Sequence, residues 1–330
     1  MKWCTPISIP SQKGYLQHGI AMILMGSCFA DNIGSYLMRG KFDIVTNPFG
    51  TLYNPASIAG ALKRLIEHRK YSLEELRCGN NLWYSYHHHG KFSQATSEET
   101  LSGINRAYSE AIEMLPRCQR LIITFGTAYL YKLRENNEVV ANCHKQPAAL
   151  FERTKMSVEE VVACWDETLQ LLWQHTPQCE VLFTVSPIRH LSDGAHENQL
   201  SKSTLLLATD ILCHKYPDRC RYFPAYEIVL DELRDYRFYA ADMTHPSTQA
   251  VEYIASRLAE TYFTDETMAI VEQCNRIGNG LQHRPLYGTN NEQYKTFATK
   301  LLQQMETVEN ACPGISYETE RMQLKQLISQ

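Results

Sequence analysis

The sequence has no long apolar run and no long cluster of basic residues. Its first residues, Met1-Lys2-Trp3-Cys4-Thr5-Pro6, carry one positive charge but lack the apolar stretch of a signal peptide or a membrane span. The formal net charge is −4, which gives no general attraction to nucleic acid or to an anionic membrane. We therefore expect a cytoplasmic protein that has neither nucleic acid nor a membrane as its partner.

Paired cysteine motifs are also missing. The chain has 11 cysteines, which is an odd number, and they are scattered with no Cys-x-x-Cys pair among them. This pattern argues against a disulfide framework and against a zinc ribbon, and favours free thiols in a reducing compartment. We expect no cofactor. Internal repeats and low-complexity tracts are likewise missing.

A chain of 330 residues that is 44% hydrophobic can bury a full core. Short apolar runs alternate with helical patterns, which is typical of βαβ units and a parallel sheet. We predict a three-layer α/β/α sandwich around a mostly parallel five-stranded sheet, similar to flavodoxin. The predicted strands are 21–26, 42–46, 121–126, 181–186 and 221–225, and the predicted helices between them are 55–69, 98–115, 158–175, 198–215 and 248–263.

Two further regions differ from this alternation. Residues 128–145 have the pattern of a β-hairpin with Asn136-Asn137 at its tip. After residue 263 we predict a helical extension over 264–330, separate from a main domain over 1–263, with helices at 265–276, 294–309 and 317–328. A turn-rich segment from Gly278-Asn279-Gly280 to residue 291 interrupts it. Packing on the main domain, covering its site and joining two copies in a homo-oligomer are all compatible with this pattern.

The chemistry of the chain is concentrated in two motifs. Gly26-Ser27 follows the first apolar run, and Asp242-x-x-His245 comes late in the sequence. A serine hydroxyl needs an adjacent base before it attacks a carbonyl, and histidine suits that role. A carboxylate three residues earlier can hold Nδ1 of the histidine and leave Nε2 facing the serine. The motifs predict Ser27 as nucleophile, His245 as base and Asp242 as the group that orients it.

Ligands of an open parallel sheet bind beyond the carboxyl ends of its strands. Ser27, Asn47, Thr127 and Ser186-Pro187 all follow predicted strands, and His245 lies in the loop before a helix. We expect these segments to meet at one edge of the sheet.

The segment Gly26-Ser27-Cys28-Phe29-Ala30 resembles the signature of the GSCFA family, over about residues 20–263. The order of an early serine and a late Asp-x-x-His resembles that of the SGNH/GDSL hydrolases. Those enzymes carry a Gly-x-Asn-Asp block whose asparagine donates to the oxyanion, and Gly126-Thr127-Ala128-Tyr129 stands in its place here. The resemblance therefore implies the fold and a hydrolase reaction, with one donor replaced.

Candidate replacements for that donor are Thr127, Asn142 from the hairpin and the backbone N–H of Gly50, beside the N–H of Ser27. An unreplaced donor would cost about 100- to 1000-fold in rate. Cys28 is an alternative nucleophile, but only one of two successive side chains at a helix start can face His245. The family resemblance favours Ser27, and Cys28 is then a small buried filler.

Five residues are candidates for substrate contact: Asn47, His89, His144, Arg189 and His190. A structural salt bridge of Arg189 to Asp193 or Glu197 is an equally good interpretation. The run that His89 ends, His87-His88-His89, does not predict a metal site, because adjacent histidines on a strand point to opposite faces. Asp242-x-x-His245 lacks the further ligands that a metal site requires.

The sequence thus predicts a serine esterase that cleaves an O-acyl ester, preferably O-acetyl on carbohydrate, through an acyl-enzyme. Tyrosines and an arginine near the predicted mouth favour a polar small molecule or sugar over a lipid chain. Two alternatives stay open: an O-acyltransferase that uses the same machinery, and an inactive module on the same scaffold that binds a glycan or metabolite.

Overall fold

A computed structural model of the chain describes residues 4–282 and 292–329. The described chain forms two compact units. One contains residues 4–9, 21–34 and 44–256, and the other contains residues 10–20, 35–43 and the described part of 257–330. The predicted boundary after residue 263 stays a prediction. None of the described helices is long and apolar enough to cross a membrane.

The first unit is built on a five-stranded sheet whose neighbouring strands are all parallel. The strands are β1 Ala21–Gly26, β2 Ile44–Thr46, β5 Cys118–Phe125, β9 Glu180–Val185 and β10 Cys220–Phe223. Their order across the sheet is β10-β9-β5-β1-β2. The first strand in the chain therefore has neighbours on both sides, and the direction of winding reverses between β1 and β5. The predicted α/β class and five-stranded sheet are confirmed.

Both faces of this sheet are buried. Ile23 and Met25 of β1 belong to a large apolar cluster, while Met22 and Leu24, which point to the opposite face, are also at most 1% exposed. Strands buried on both faces read as continuous apolar runs, which is why β1 could be recognised from its sequence. Six helices lie between or after these strands in the chain: α1 Cys28–Arg39, α2 Pro55–Ile66, α3 Ser97–Met114, α4 Val158–His175, α5 Ala195–Lys215 and α7 Thr248–Tyr262.

Local sequence signals explain where these helices begin. Asn54 caps α2, since its Oδ1 accepts the N–H of Ser57 at 2.8 Å and Pro55 occupies the first helical position. Ser157 and Glu160 form a reciprocal capping box at the start of α4. Trp165 of α4 is fully buried and donates to the carbonyl of Pro55 at 3.1 Å, which fixes α4 against α2.

Two small antiparallel sheets are formed by strands outside the five-stranded sheet. Strands β3 Arg77–Gly79 and β4 Leu82–Tyr84 form one hairpin, ahead of the three histidines. Strands β6 Tyr129–Leu133 and β7 Val139–Val140 form the predicted hairpin, and β8 Phe151–Lys155 adds a third strand next to β6 that was not predicted. A short helix α6, Ala225–Glu227, follows β10 and continues as a π-helix over Ile228–Glu232.

The second unit contains the helices α8 Asp265–Gln282, α9 Glu292–Ala311 and α10 Glu318–Ser329. The predicted turn at Gly278-Asn279-Gly280 is wrong, because α8 continues through it and buries Cys274 and Ile277 in an apolar cluster with α9. Gly280 permits this packing, since a Cβ there would lie 2.8 Å from a methyl of Leu301. The rest of that predicted segment, residues 283–291, lies outside the described residues.

Candidate active site

The turn after β1 holds the Gly-Ser-Cys segment in a fixed position. Gly26 has φ +143°, and a Cβ on it would lie 2.2 Å from the carbonyl oxygen of Thr124 on β5. Its N–H donates to Asn47 Oδ1 at 2.8 Å, and the N–H of Ser27 donates to Thr124 O at 3.1 Å. Only glycine fits this close approach of two strands. Helix α1 therefore begins, at Cys28, directly at the point where the strand order reverses.

Ser27 and Cys28 have different surroundings. Ser27 is 1% exposed, and its Oγ accepts the N–H of Phe29 at 3.3 Å. Cys28 is partly buried and lines a cavity of about 320 Å³, of which Ser27 is not a lining residue. The described residues around this cavity are Cys28, Tyr53, Asn54, Thr127, Tyr129, Tyr131, Ala141, Arg153, Ile188, Arg189, His190, Ser192, Asp193 and His245. The cavity lies beyond the carboxyl ends of β1, β5 and β9, as ligand sites of open parallel sheets do.

His245 and Asp242 form a direct pair in the loop before α7. Nδ1 of His245 and Oδ2 of Asp242 are 2.6 Å apart, and both side chains are half exposed. The N–H groups of His245 and Thr244 donate to Oδ1 of Asp242 at 3.0 and 2.9 Å. These two backbone donors and then the imidazole hold the pKa of Asp242 well below its usual range. Because the carboxylate stays ionised and holds Nδ1, Nε2 of His245 is left for proton exchange.

Arg189 joins this loop to the segment after β9. Its N–H donates to Thr244 O at 3.0 Å and its guanidinium donates to Met243 O at 3.1 Å. The guanidinium also lies 5.4 Å from the ring centre of Tyr239. The salt bridges considered for Arg189 are not formed: Asp193 pairs with Arg153, and Glu197 pairs with Lys155. Arg189 thus positions the His245 loop and still lines the cavity.

A buried lysine lies behind the turn. Lys202 of α5 is 1% exposed, and its Nζ donates to the carbonyls of Gly126 and Ser186 at 2.7 Å each. Burial lowers the pKa of Lys202 to about 7, and Cys28 acts in the opposite direction. The side chain ties together the ends of β5 and β9. Lysine is seldom fully buried, so the sequence does not indicate this burial.

Asn54 is another residue whose place in the site sequence reasoning missed. It is 5% exposed, lines the cavity, and uses Oδ1 to cap α2. Capping fixes which end of the amide is oxygen, and no described residue accepts a hydrogen bond from Nδ2. The nitrogen is not fully enclosed by protein, and the residue borders the cavity. The Asn54-Pro55 pair indicated only a helix start.

Three other predicted site residues either support the turn or line the cavity. Asn47 is buried and donates to Asp31 Oδ1 at 2.7 Å while it accepts from Gly26, so it supports the turn rather than lining the cavity. Thr127 lines the cavity, and its hydroxyl lies 3.1 Å from that of Ser201. His190 also lines it, and burial lowers the pKa of that imidazole to about 4. His190 is therefore neutral at physiological pH.

The structure does not bring the remaining predicted residues to this cavity. The N–H of Gly50 donates to Asn47 O at 2.8 Å, as that of Ser27 donates to Thr124, so both predicted oxyanion donors are already bonded to carbonyls. Asn142 accepts the N–H of His144 at 2.8 Å, and His144 stacks on Tyr84 with ring centres 4.3 Å apart. His89 accepts the N–H of Lys91 at 3.2 Å.

The three consecutive histidines have separate surroundings. His87 pairs with Glu138 at 2.7 Å, His88 is buried against Phe49, and His89 caps a short turn. Among the described residues, no group of three or more His, Cys, Asp or Glu side chains could hold a metal ion.

Together, the parallel sheet and its strand order define an α/β protein of the flavodoxin-like strand order, with a cavity at the point where the winding reverses. The chain belongs to the GSCFA family, whose model matches residues 21–258. The model of the GSCFA domain protein C-terminal domain matches residues 274–330. The predicted GSCFA resemblance is confirmed.

The solved structures that are similar to this chain include an acetyl xylan esterase from the rumen bacterium Butyrivibrio proteoclasticus. It is 10% identical, with a TM-score of 0.37, and the match covers 83% of this chain and 66% of the esterase chain. This chain thus spans slightly less than two thirds of the length of that esterase. No curated protein sequence matches the chain significantly.

Proposed function

We propose that this protein hydrolyses an O-acyl ester through a covalent acyl-enzyme. One observation carries the proposal: His245, held by Asp242 at 2.6 Å, shares a cavity of about 320 Å³ with the first residue of α1. A base that is oriented by a carboxylate and faces a nucleophile at a helix start is the arrangement that acyl transfer requires. Sequence reasoning gives the attack to Ser27, with Cys28 as the alternative.

In the proposed reaction, Nε2 of His245 takes the proton of the nucleophile as it attacks the ester carbonyl. The imidazolium formed is stabilised by Asp242 and then gives that proton to the leaving alcohol. Water repeats the sequence on the acyl-enzyme and releases the acid. Nδ2 of Asn54 is the donor that we assign to the oxyanion, because it lines the cavity and is fixed through the α2 cap. It would replace the asparagine that SGNH hydrolases supply from another loop.

The surroundings favour a short acyl group on a polar alcohol. A second cavity of about 480 Å³ shares Arg189 with the first and is lined by three tyrosines, Tyr226, Tyr236 and Tyr239. Aromatic faces and a guanidinium suit a sugar ring and its hydroxyls. We propose O-acetyl carbohydrate as the substrate class, handled in the cytoplasm. An acyltransferase would give the same acyl-enzyme to a sugar hydroxyl instead of water.

The test is turnover of p-nitrophenyl acetate and of an acetylated xylo-oligosaccharide by the purified protein. His245→Ala should lower kcat by roughly 10⁴- to 10⁶-fold, whereas His214→Ala, at an exposed histidine of α5, should leave it within twofold. A folded protein that turns over neither ester, and binds the oligosaccharide equally with and without His245, would instead favour a binding module. Diversion of the acyl product by an added sugar acceptor would identify a transferase.

A further inference from the structure

The Gly-Ser-Cys turn offers two side chains that could attack a carbonyl, and they do not have equal access. Ser27 is buried, and its hydroxyl oxygen accepts the N–H of Phe29 at 3.3 Å. Cys28 is the member of the pair that lines the cavity with His245. Successive residues of a helix are rotated by about 100° around its axis, so the two side chains cannot both face the cavity.

We infer that the Cys28 thiol, and not the Ser27 hydroxyl, is the attacking group. The inference rests on the proposed acyl-transfer function and specifies its nucleophile. It makes the protein a cysteine-dependent hydrolase, with Cys28, His245 and Asp242 as its three catalytic residues.

Asn54 places a hydrogen-bond donor at this wall of the cavity. Its side chain is 5% exposed, its Oδ1 is used by the α2 cap, and its Nδ2 has no acceptor among the described residues. Asn54 and Cys28 line the same cavity. An oxyanion formed by attack of Cys28 in this cavity could accept the hydrogen bond of Nδ2.

The surroundings of the sulfur explain why a base is needed. Burial and then the Asp31 carboxylate raise the pKa of Cys28 above its usual value, while the N–H groups at the start of α1 and the Lys202 ammonium act in the opposite direction. At neutral pH the side chain is therefore mainly a thiol, and the nucleophile is a thiolate. His245 would take the proton during the attack, in the manner of a serine triad.

The chemistry balances without a further reactant. The thiol proton moves to Nε2 of His245, a C–S bond forms as the ester C–O bond breaks, and the alcohol leaves with that proton. Water then attacks the thioester while His245 accepts a proton from it. The C–S bond breaks, the acid leaves, and the sulfur regains its proton.

The experiment is to trap the acyl-enzyme by acid quenching with p-nitrophenyl acetate, followed by intact mass and peptide mapping. We expect one acetyl group on Cys28 that neutral hydroxylamine removes, as expected for a thioester. Iodoacetamide should block both turnover and the adduct in the wild type and in Cys78→Ala, a control at an exposed cysteine. Ser27→Ala should still form the adduct on residue 28.

Two variants keep the test decisive if a substitution harms folding. Cys28→Ala should lose the adduct, and Cys28→Ser should form an O-acyl adduct at position 28 that resists neutral hydroxylamine and survives iodoacetamide. An adduct on Ser27, or turnover that persists in Cys28→Ala but vanishes in Ser27→Ala, would overturn the assignment of Cys28 while the proposed function stands. Turnover that depends on neither residue nor on His245 would contradict the proposed function itself.

Discussion

Replacing Asn54 by serine separates the two roles of this side chain. Oδ1 of Asn54 caps α2 through the N–H of Ser57 at 2.8 Å, and Nδ2 is the donor assigned to the oxyanion. Serine caps a helix about as well as asparagine does, so the cap survives in Asn54→Ser. The shorter side chain carries no amide donor into the cavity. We therefore expect the fold to be kept and catalysis to be lost.

The magnitudes of the two effects are far enough apart to be measured separately. Loss of an oxyanion donor costs about 2.7–4 kcal/mol of transition-state stabilisation, or about 100- to 1000-fold in kcat. Loss of a cap costs about 1 kcal/mol of stability. Asn54→Ser should lower kcat by that factor with KM and the urea midpoint nearly unchanged. Asn54→Ala should lower kcat equally and also destabilise the protein.

The assay is steady-state ester hydrolysis together with urea unfolding of the wild type and both variants. Asn54→Asp is a useful third variant, because it keeps the cap but places a negative charge beside the developing oxyanion, and it should be slower than Asn54→Ser. Wild-type kcat in Asn54→Ser would refute the assignment of Nδ2 to the oxyanion. Equal loss of stability in Asn54→Ser and Asn54→Ala would refute the separation of the two roles.

Three further predictions concern the charges around the site. Asp242→Asn should lower kcat by about 10⁴-fold, because the amide no longer holds Nδ1–H of His245 and does not stabilise the imidazolium. Steady-state kinetics measures the loss, and a crystal structure of the variant shows whether the His245 loop has kept its geometry. Asp31→Asn should shift the pH profile of iodoacetamide alkylation of Cys28 to lower pH, because the Asp31 carboxylate raises the pKa of that thiol. The other charged or titratable neighbours are Lys202, which lowers this pKa, and Tyr53. An unchanged profile would contradict the prediction. Lys202→Met should flatten the dependence of stability on pH. Burial lowers the pKa of Lys202 to about 7 in the folded protein, whereas an unfolded lysine titrates near 10.4. The unfolded chain therefore binds more protons than the folded protein between these two pH values, so wild-type stability should rise with pH across that window. The rise is about 1.4 kcal/mol for each unit of pKa difference. Urea midpoints measured at both ends of the window would show whether the variant lacks this rise.

Much of the fold could be predicted from the sequence because its strands are buried on both faces. A buried parallel strand such as β1 is a short apolar run bounded by glycine, and the predicted range 21–26 agrees with the observed Ala21–Gly26. The capping box at Ser157 likewise fixed the start of α4. The pattern failed at Gly278 and Gly280, where packing of α8 on α9 outweighs the local cost of glycine in a helix.

The candidate site was predictable in its position and less so in its contents. Strand ends indicated the edge of the sheet at which the cavity lies, and the Asp-x-x-His spacing predicted the contact that Asp242 makes with His245. Which of two adjacent residues faces a cavity depends on the rotation at which α1 leaves β1, and that rotation is set by Gly26 and Asn47 in three dimensions. The burial of Lys202 and the place of Asn54 in the cavity lining depend on contacts between distant parts of the chain, which no local pattern indicates.

The order of strands has a consequence for when activity can arise. Cys28 comes from the first crossover of the sheet, whereas His245 belongs to the loop that follows the last strand, β10. Contacts between such distant parts of a chain form late in folding, because the intervening loops must close first. A ribosome-bound or truncated chain that already has β1, β2 and β5 would hold the proposed nucleophile but not the proposed base. The proposed esterase activity would therefore report completion of the whole sheet, and unfinished chains would carry Cys28 without His245.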